Sequence, residues 1–462
     1  MPIRVVACIY VCSIAAGRRS CKGWLGLFGG CSLIVSGVQR HPIERNWKVK
    51  DSLRHGSLRL CVAGPQRRNA SAVAPRWCYT ALTVVCFVSS TSGQDYDKLP
   101  PRSLRRALDA CGFVVEKPGL SLSDLFVGGM GGYHTFRIPA LVVTANGSLL
   151  AICEGRKASR ADHGDVDLVC RRSTDGGETW SPLRLIHEQG DTAKITIGNP
   201  CPVVDRLRGA IWLPFTRDNT DVLLTMSEDD GQTWKQPRNI TTSVKRDNWT
   251  WYATGPGNGI QLTRGPHSGR LVIPCDHRVR RISDRRKSTR SHVLFSDDHG
   301  LTWKIGGVTE FLMNECAIVE RSDGELLLNM RSNRGLHCRA VATSNDGGSS
   351  WSRCRDERVL TEPVCQASMV RYSWPIAQRR SRLLFLNPAS VTSRQELTLR
   401  ISYDEGHSWP VAHVLYAKAA AYSSLAVLPN REVGVLFERD DYSRISFATI
   451  GIEFVESTHA NK

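Results

Sequence analysis

One eight-residue pattern occurs five times in this 462-residue chain, and no other feature constrains its fold as tightly. The form is S-x-D-x-G-x-[ST]-W. It runs from Ser173 to Trp180, Ser227 to Trp234, Ser296 to Trp303, Ser344 to Trp351 and Ser402 to Trp409. Successive starts are 54, 69, 48 and 58 residues apart. A supersecondary unit recurring every ~50 residues marks a propeller or a solenoid. Each copy also reads as a turn. The Asp oxygens can accept hydrogen bonds from N–H groups of the same turn, the Gly can take positive φ, and the Trp anchors the turn in an apolar layer. The repeats speak to architecture and leave activity open.

Between the repeats, short apolar runs alternate with Asn-Gly, Asp-Gly and Gly-Gly turns. Ala140–Thr144, Ser148–Ile152, Val166–Val169, Ala210–Phe215, Arg270–Pro274, Glu325–Met330 and Arg382–Leu386 read as strands. Long amphipathic helices are missing from the pattern. Strands grouped in units of this length predict an all-β fold, a six-bladed β-propeller with one box-free blade, over residues 125–456.

The first 93 residues differ. They hold thirteen Lys and Arg against two Asp and Glu, so most of the net charge of +17 sits there. The body is only mildly basic, which argues against a nucleic-acid partner and suits an anionic substrate. Arg76 is followed by an apolar run to Val88 and then by small residues to Gly93. This is the form of a secretory signal peptide, too short for a comfortable membrane span. Its position inside the chain suggests that translation starts later, after residue ~70. The competing reading is a buried strand of an extra domain. Val5–Ala16 is an alternative targeting segment, and residues 94–124 read as a lead-in with a short helix over Arg102–Leu108. An exported protein is the expectation. Nine of the 16 Cys lie after residue 93, scattered among apolar neighbours, and read mostly as small buried hydrophobes. No C-x-x-C or H-E-x-x-H occurs, so no metal and no cofactor is expected.

Several charges stand where strands should bury them: Arg137 in Phe136-Arg-Ile-Pro139, Glu315, Arg331, Arg394 and Glu438. Burial is costly unless such groups pair. Phe136-Arg-Ile-Pro139 followed by the boxes resembles the sialidases (neuraminidases), over residues 126–450, of the secreted bacterial and lysosomal exo-α types. The resemblance implies a six-bladed propeller that cleaves terminal sialic acid from oligosaccharides, glycoproteins or glycolipids. It implies Arg137, Arg331 and Arg394 as the clamp on the sialic acid carboxylate, with Arg400 as a competitor for Arg394. Guanidinium groups stay charged and hold carboxylates through paired hydrogen bonds. It implies Asp162 as the acid/base, Tyr422 as the nucleophile in Ala421-Tyr-Ser-Ser-Leu425, Glu315 as its base, and Glu438 as the group steadying Arg137. Arg156 matches a pocket arginine. Asn199 and the Trp249–Asn258 segment fall on the glycerol and N-acyl side. The basic run Arg278–Arg290 reads as a solvated loop. The alternatives are a non-catalytic box propeller and a trans-sialidase.

Overall fold

The computed structural model describes residues 5–15, 18–28, 80–87 and 120–460, apart from 281–283 and 378. Two units are present. In the first, Val5–Ala15 lies between Arg18–Phe28 and Thr80–Phe87, antiparallel to both. The strand Thr80–Phe87 occupies most of the signal-like run, whose flanks lie outside the described residues, as does the expected helix over Arg102–Leu108.

The second unit is a β-propeller of antiparallel sheets. The first sheet runs Thr135–Val143, Leu149–Arg156, Val166–Ser173 and Arg184–His187 in sequence order. Its second strand is buried at every position, whereas the fourth is exposed or half-buried. A strand covered on both faces by neighbouring sheets must be apolar almost throughout, and Leu-Leu-Ala-Ile-Cys meets that demand. The next sheet is built on Ile211–Arg217 and Asp221–Ser227, the third on Leu271–Val279 and Thr289–Ser296. The fourth takes Met313–Glu320, Leu326–Ser332, Cys338–Ser344 and Arg355–Thr361. The last sheet has seven strands because Val411–Val427 serves two sets of partners. Its first half pairs with Gln395–Ser402, and from Ala420 onward it pairs with Val433–Arg439.

The strand Leu120–Val127 pairs antiparallel with Arg444–Ile450, so an early strand joins the final sheet. The expected lead-in boundary at residue 124 therefore falls inside a propeller strand. Asp124 ties this seam, accepting from Arg439 Nη2 at 2.7 Å, Ser446 Oγ at 2.6 Å and Arg444 Nη1 at 2.8 Å.

All five boxes sit on the connection between the third and fourth strands of their sheets. The same bonds recur in each. Ser296 Oγ donates to Asp298 Oδ1 at 2.8 Å and accepts Gly300 N at 2.7 Å, while Asp298 Oδ1 accepts Thr302 N at 2.9 Å. The box glycine has positive φ, +89° at Gly300. It also abuts the preceding sheet: a Cβ on Gly300 would lie 2.2 Å from the Trp212 ring, on Gly231 2.4 Å from Leu150, and on Gly177 2.3 Å from Phe447. The first sheet thus packs on the last, and the ring closes. Apolar clusters fill each seam, for example Leu141, Leu149 and Phe136 against Leu436 and Phe447. Each such side chain contributes about 1.5–3 kcal/mol when fully buried. Between the boxes, helix is confined among the described residues to Thr241–Val244 and the 3₁₀ turn Gly265–His267, and Ile452–Ala460 follows the last strand. In the propeller, the eight cysteines from Cys153 to Cys365 are free, seven of them buried.

Candidate active site

Strand direction separates the candidate residues from the boxes. Arg137 stands near the start of the first strand of its sheet and Arg156 ends the second, while Ser173 ends the third at the opposite edge. Glu315 and Arg331 repeat this placement in the fourth sheet, at the start of one strand and the end of the next. Asp162 lies in the loop between Leu149–Arg156 and Val166–Ser173. Arg394 directly precedes Gln395–Ser402, Tyr422 lies within Val411–Val427, and Glu438 is near the end of Val433–Arg439.

These residues converge on Tyr422. Its hydroxyl donates to Glu315 Oε1 and accepts from Arg331 Nη1 at 3.2 Å. Arg331 Nη1 also reaches Glu315 Oε2 at 2.7 Å. The guanidinium carbons of Arg137 and Arg394 lie 5.3 and 5.4 Å from the Tyr422 ring centre. Glu438, fully buried, accepts Arg137 Nε at 2.6 Å and Ile138 N at 2.9 Å on Oε1, and Tyr422 N at 3.1 Å on Oε2. One carboxylate therefore positions both an arginine and the tyrosine backbone. Ile138 is a β-branched residue at φ +59°, next to a register shift in its strand. Backbone of this kind is strained and persists where surrounding contacts hold it. Here those contacts turn Arg137 into the pocket.

A second group lies beside the first. Glu154 Oε2 holds Arg156 Nε and Nη2 at 3.0 and 2.7 Å, and Glu154 Oε1 accepts Asn199 N at 2.9 Å. Asn199 has φ +56°, and its side chain turns to Thr216 Oγ1 at 2.9 Å. Arg156 Nη1 reaches Asp162 Oδ1 at 2.9 Å, and Arg137 Nη1 stands 3.6 Å from the same oxygen. The Asp162 side chain is 77% exposed. Partial desolvation acts to raise its pKa, but Arg156 and Arg137 outweigh it and hold the carboxyl below the usual range. Burial, reinforced by Glu315, pushes the Tyr422 hydroxyl well above its ordinary pKa, while Arg331 and Arg394 pull the other way.

Arg394 and Arg400 separate clearly. Arg394 Nη1 donates to Tyr442 OH at 3.0 Å and has no carboxylate at ion-pair distance among the described residues. Arg400 donates to Asn387 Oδ1 at 3.1 Å on the neighbouring strand and makes no contact with the Tyr422 ring among those observed. Trp249 is buried against His277 and Tyr252, so it packs the sheet, whereas Trp251 lines a cavity.

Sequence reading missed three partners. Tyr442 lies 4.3 Å below the Arg137 guanidinium and also accepts from Arg394, so it links two arginines. Its signal is faint: it ends an Asp-Asp-Tyr turn whose three residues all have positive φ. Asp276 is fully buried beside Glu315, and its Oδ2 accepts from Asn314 Nδ2. Burial, with Glu315 adding to it, pushes its carboxyl well up, which avoids a second negative charge there. Gln366 donates to Ser423 O at 2.9 Å and accepts Ser423 N at 3.0 Å, pinning the strand next to Tyr422.

Residues 147–435 match the family described as BNR repeat-like domain. An exo-alpha-sialidase of Aspergillus fumigatus is 33% identical over 354 residues, which cover 68% of this chain and 80% of the relative. The chain belongs to the sialidase family. A sialidase of Micromonospora viridifaciens is 36% identical over 361 residues, covering 72% of this chain and 55% of the relative. The chain thus spans little more than half the length of that sialidase. Among solved structures, the Hadza microbial sialidase Hz136 superposes with a TM-score of 0.65 at 30% identity, covering 72% of this chain and 69% of its own.

Proposed function

We propose that this chain is a retaining exo-α-sialidase that releases terminal sialic acid from oligosaccharides, glycoproteins or glycolipids. The observation that carries the reading is the Tyr422–Glu315–Arg331 cluster with the Arg137 and Arg394 guanidinium groups both within 5.4 Å of the tyrosine ring centre. Three guanidinium groups around one tyrosine suit a small anion, and fork-shaped donors favour a carboxylate.

The chemistry follows from the geometry. The arginines hold the sialic acid carboxylate against Tyr422. Asp162 gives its proton to the leaving oxygen as the glycosidic bond breaks. Tyr422 attacks the anomeric carbon while its proton passes to Glu315. Because burial and Glu315 raise the tyrosine pKa, no tyrosinate stands ready, and the proton moves as the bond forms. A neutral nucleophile also avoids approaching a carboxylate-bearing carbon with like charge, which accords with tyrosine as the known exception to the two-carboxylate scheme. Water then attacks the sialyl-tyrosine, losing its proton to Asp162, and Tyr422 leaves with the proton held by Glu315.

The reading includes six blades, with Val411–Val427 as the strand shared by the last two. Residues 1–93 stand outside the catalytic unit as an export-linked extension, 94–119 lead into the strand Leu120–Val127, and the mature protein works in an exported or lysosome-like compartment. Among the described residues no helix is long and apolar enough to cross a membrane. N-terminal sequencing of exported protein should find a start between residues ~90 and ~95.

Hydrolysis of a fluorogenic aryl α-sialoside, followed by proton NMR, tests the central claim. Retention gives the α-anomer of sialic acid first. Release of the β-anomer first, or no release, overturns it. A trans-sialidase would use the same groups with a sugar hydroxyl in place of water, and added lactose would then divert the product to sialyllactose.

A further inference from the structure

The catalytic reading leaves the basic run after Asp276 unused, yet its arginines face the site. Arg278 lies near the end of the strand Leu271–Val279, and Arg285 and Arg286 follow in the turn leading to Thr289–Ser296. Two cavities meet on them. One, about 440 Å³, has Arg331 and Arg394 on one side and Arg278, Arg285 and Arg286 on another. The other, about 390 Å³, is lined by Arg278 and Arg285 together with Trp251 and His163, the neighbour of Asp162. The arginine turn therefore reaches from the clamp to the loop that carries the candidate acid.

Among the described residues no carboxylate stands at ion-pair distance from the guanidinium groups of this wall. Arg137, Arg156 and Arg331 each pair with a buried glutamate. Arg278, Arg285 and Arg286 have no such partner among the described residues. The one acid in their turn, Asp284, caps the N–H of Arg286 at 2.9 Å and lies 3.8 Å from Lys287 Nζ. Asp276 turns to Asn314. Arg278 is only half exposed, its Nε is buried without a hydrogen-bond partner, and its guanidinium carbon rests 4.6 Å from the centre of the Trp251 ring. A solvated loop would leave its charges in water. A half-buried guanidinium with an unmet N–H has lost hydration and gained nothing equivalent.

We infer that Arg278, Arg285 and Arg286 form an anion subsite beside the sialic acid pocket, selecting sialosides whose leaving group is itself negatively charged. Its ligand chemistry is an acidic sugar: the carboxylate of a second sialyl residue, or a sulfate ester on the sugar next to the sialic acid. The inference rests on the sialidase reading for the place of the leaving group, next to the acid loop. Guanidinium forks bind both anions bidentately, and the Trp251 face offers a platform for sugar C–H groups.

The test compares wild type with Arg278→Gln and with the exposed pair Arg285→Gln/Arg286→Gln, which should fold even if the first does not. Substrates are neutral sialyllactose, the same trisaccharide sulfated on the galactose, and a disialyl donor. Wild type should prefer at least one anionic substrate by about tenfold in kcat/KM, equal to about 1.4 kcal/mol. The preference should weaken in high salt and fall towards unity in the variants, while kcat/KM on neutral sialyllactose stays within about twofold. Whichever anionic substrate loses its advantage identifies the source of the charge. An equal preference in wild type and variants, or none in wild type, overturns the subsite. Failure of wild type to cleave neutral sialyllactose and the aryl sialoside would instead count against the sialidase reading. In that case calorimetric affinity for the sulfated trisaccharide still decides the subsite: a tenfold loss in the variants supports it, and unchanged affinity overturns it.

Discussion

Arg137 and Glu438 meet at 2.6 Å across 301 residues of sequence, joining the first sheet to the last at the candidate site. Glu438 also accepts the Tyr422 backbone N–H, so the clamp and the candidate nucleophile share one anchor. Removing the carboxylate leaves a buried guanidinium uncompensated, at a cost of about 3–5 kcal/mol. Glu438→Gln should therefore lower thermal stability and sialoside turnover together. A variant with full stability and full activity would show that the pair anchors neither group.

Tyr422 and Glu315 act on one proton in the proposed mechanism. A fluorinated sialyl donor with a good leaving group should label wild-type protein once, and peptide mapping should place the label on Tyr422. Tyr422→Phe should abolish the label with the fold intact. Glu315→Gln preserves shape but cannot take the proton, so kcat should fall by about 10²–10⁴. Label on Glu315, or a labelled Phe variant, would sink the nucleophile assignment.

Arg394 and Arg400 provide an internal control. Only Arg394 approaches Tyr422, and Arg400 spends its donor on Asn387. Arg394→Lys keeps the charge and loses the planar fork, with an expected loss of about 2–4 kcal/mol in kcat/KM. Arg400→Lys should change kcat/KM little. Steady-state kinetics on one aryl sialoside decides between them, and the reverse order would exchange the two residues.

The boxes were legible because their bonds are local. Ser, Asp, Gly and Thr lie within four residues of their partners, so the pattern in the chain is the pattern in space. The candidate arginines and carboxylates were legible as charges in apolar contexts. Asp276 carries the same signal, following the apolar run Leu271–Cys275, and was passed over; Tyr442 was not legible, because its position beside Arg137 arises from sheet packing and is hinted at only by its turn. The closing strand was missed for another reason. Leu120-Ser-Leu-Ser alternates as a strand should, but a register shift near Asp124 breaks the period before Leu125 and Phe126. The shared strand Val411–Val427 was not read because nothing in its sequence marks the change of pairing partner near Ala420.

The motif glycine Gly300 and Gly176, which precedes the motif glycine of the first box, separate backbone strain from packing. Gly300 and Gly176 have φ near +89° and +78°, but a Cβ on Gly176 meets nothing within 4 Å, whereas on Gly300 it strikes Trp212. Gly300→Ala should cost about 1–3 kcal/mol more than Gly176→Ala in denaturant unfolding, the usual range for overpacking. Equal costs would show that the box glycine does not set the spacing between sheets.

The final prediction concerns Asp162 and pH. In the free protein its pKa is depressed, because Arg156 and Arg137 outweigh the effect of desolvation. A general acid must be protonated, so activity that needs it falls as pH rises through its pKa. When the substrate carboxylate engages Arg137, that guanidinium no longer acts on Asp162 alone, and the Asp162 pKa should rise in the complex. The alkaline limb of kcat should then lie at higher pH than that of kcat/KM, since the first reports the complex and the second the free enzyme. Arg137 also belongs to the proposed clamp, so the cleaner perturbation is chemical. A sialoside whose leaving group needs no proton should lose the limb in kcat for bond cleavage, and Asp162→Asn should retain much of its first-step rate on that substrate while losing most of its rate on sialyllactose. Matched alkaline limbs in kcat and kcat/KM for sialyllactose, or equal losses on both substrates, would show that Asp162 is not the proton donor.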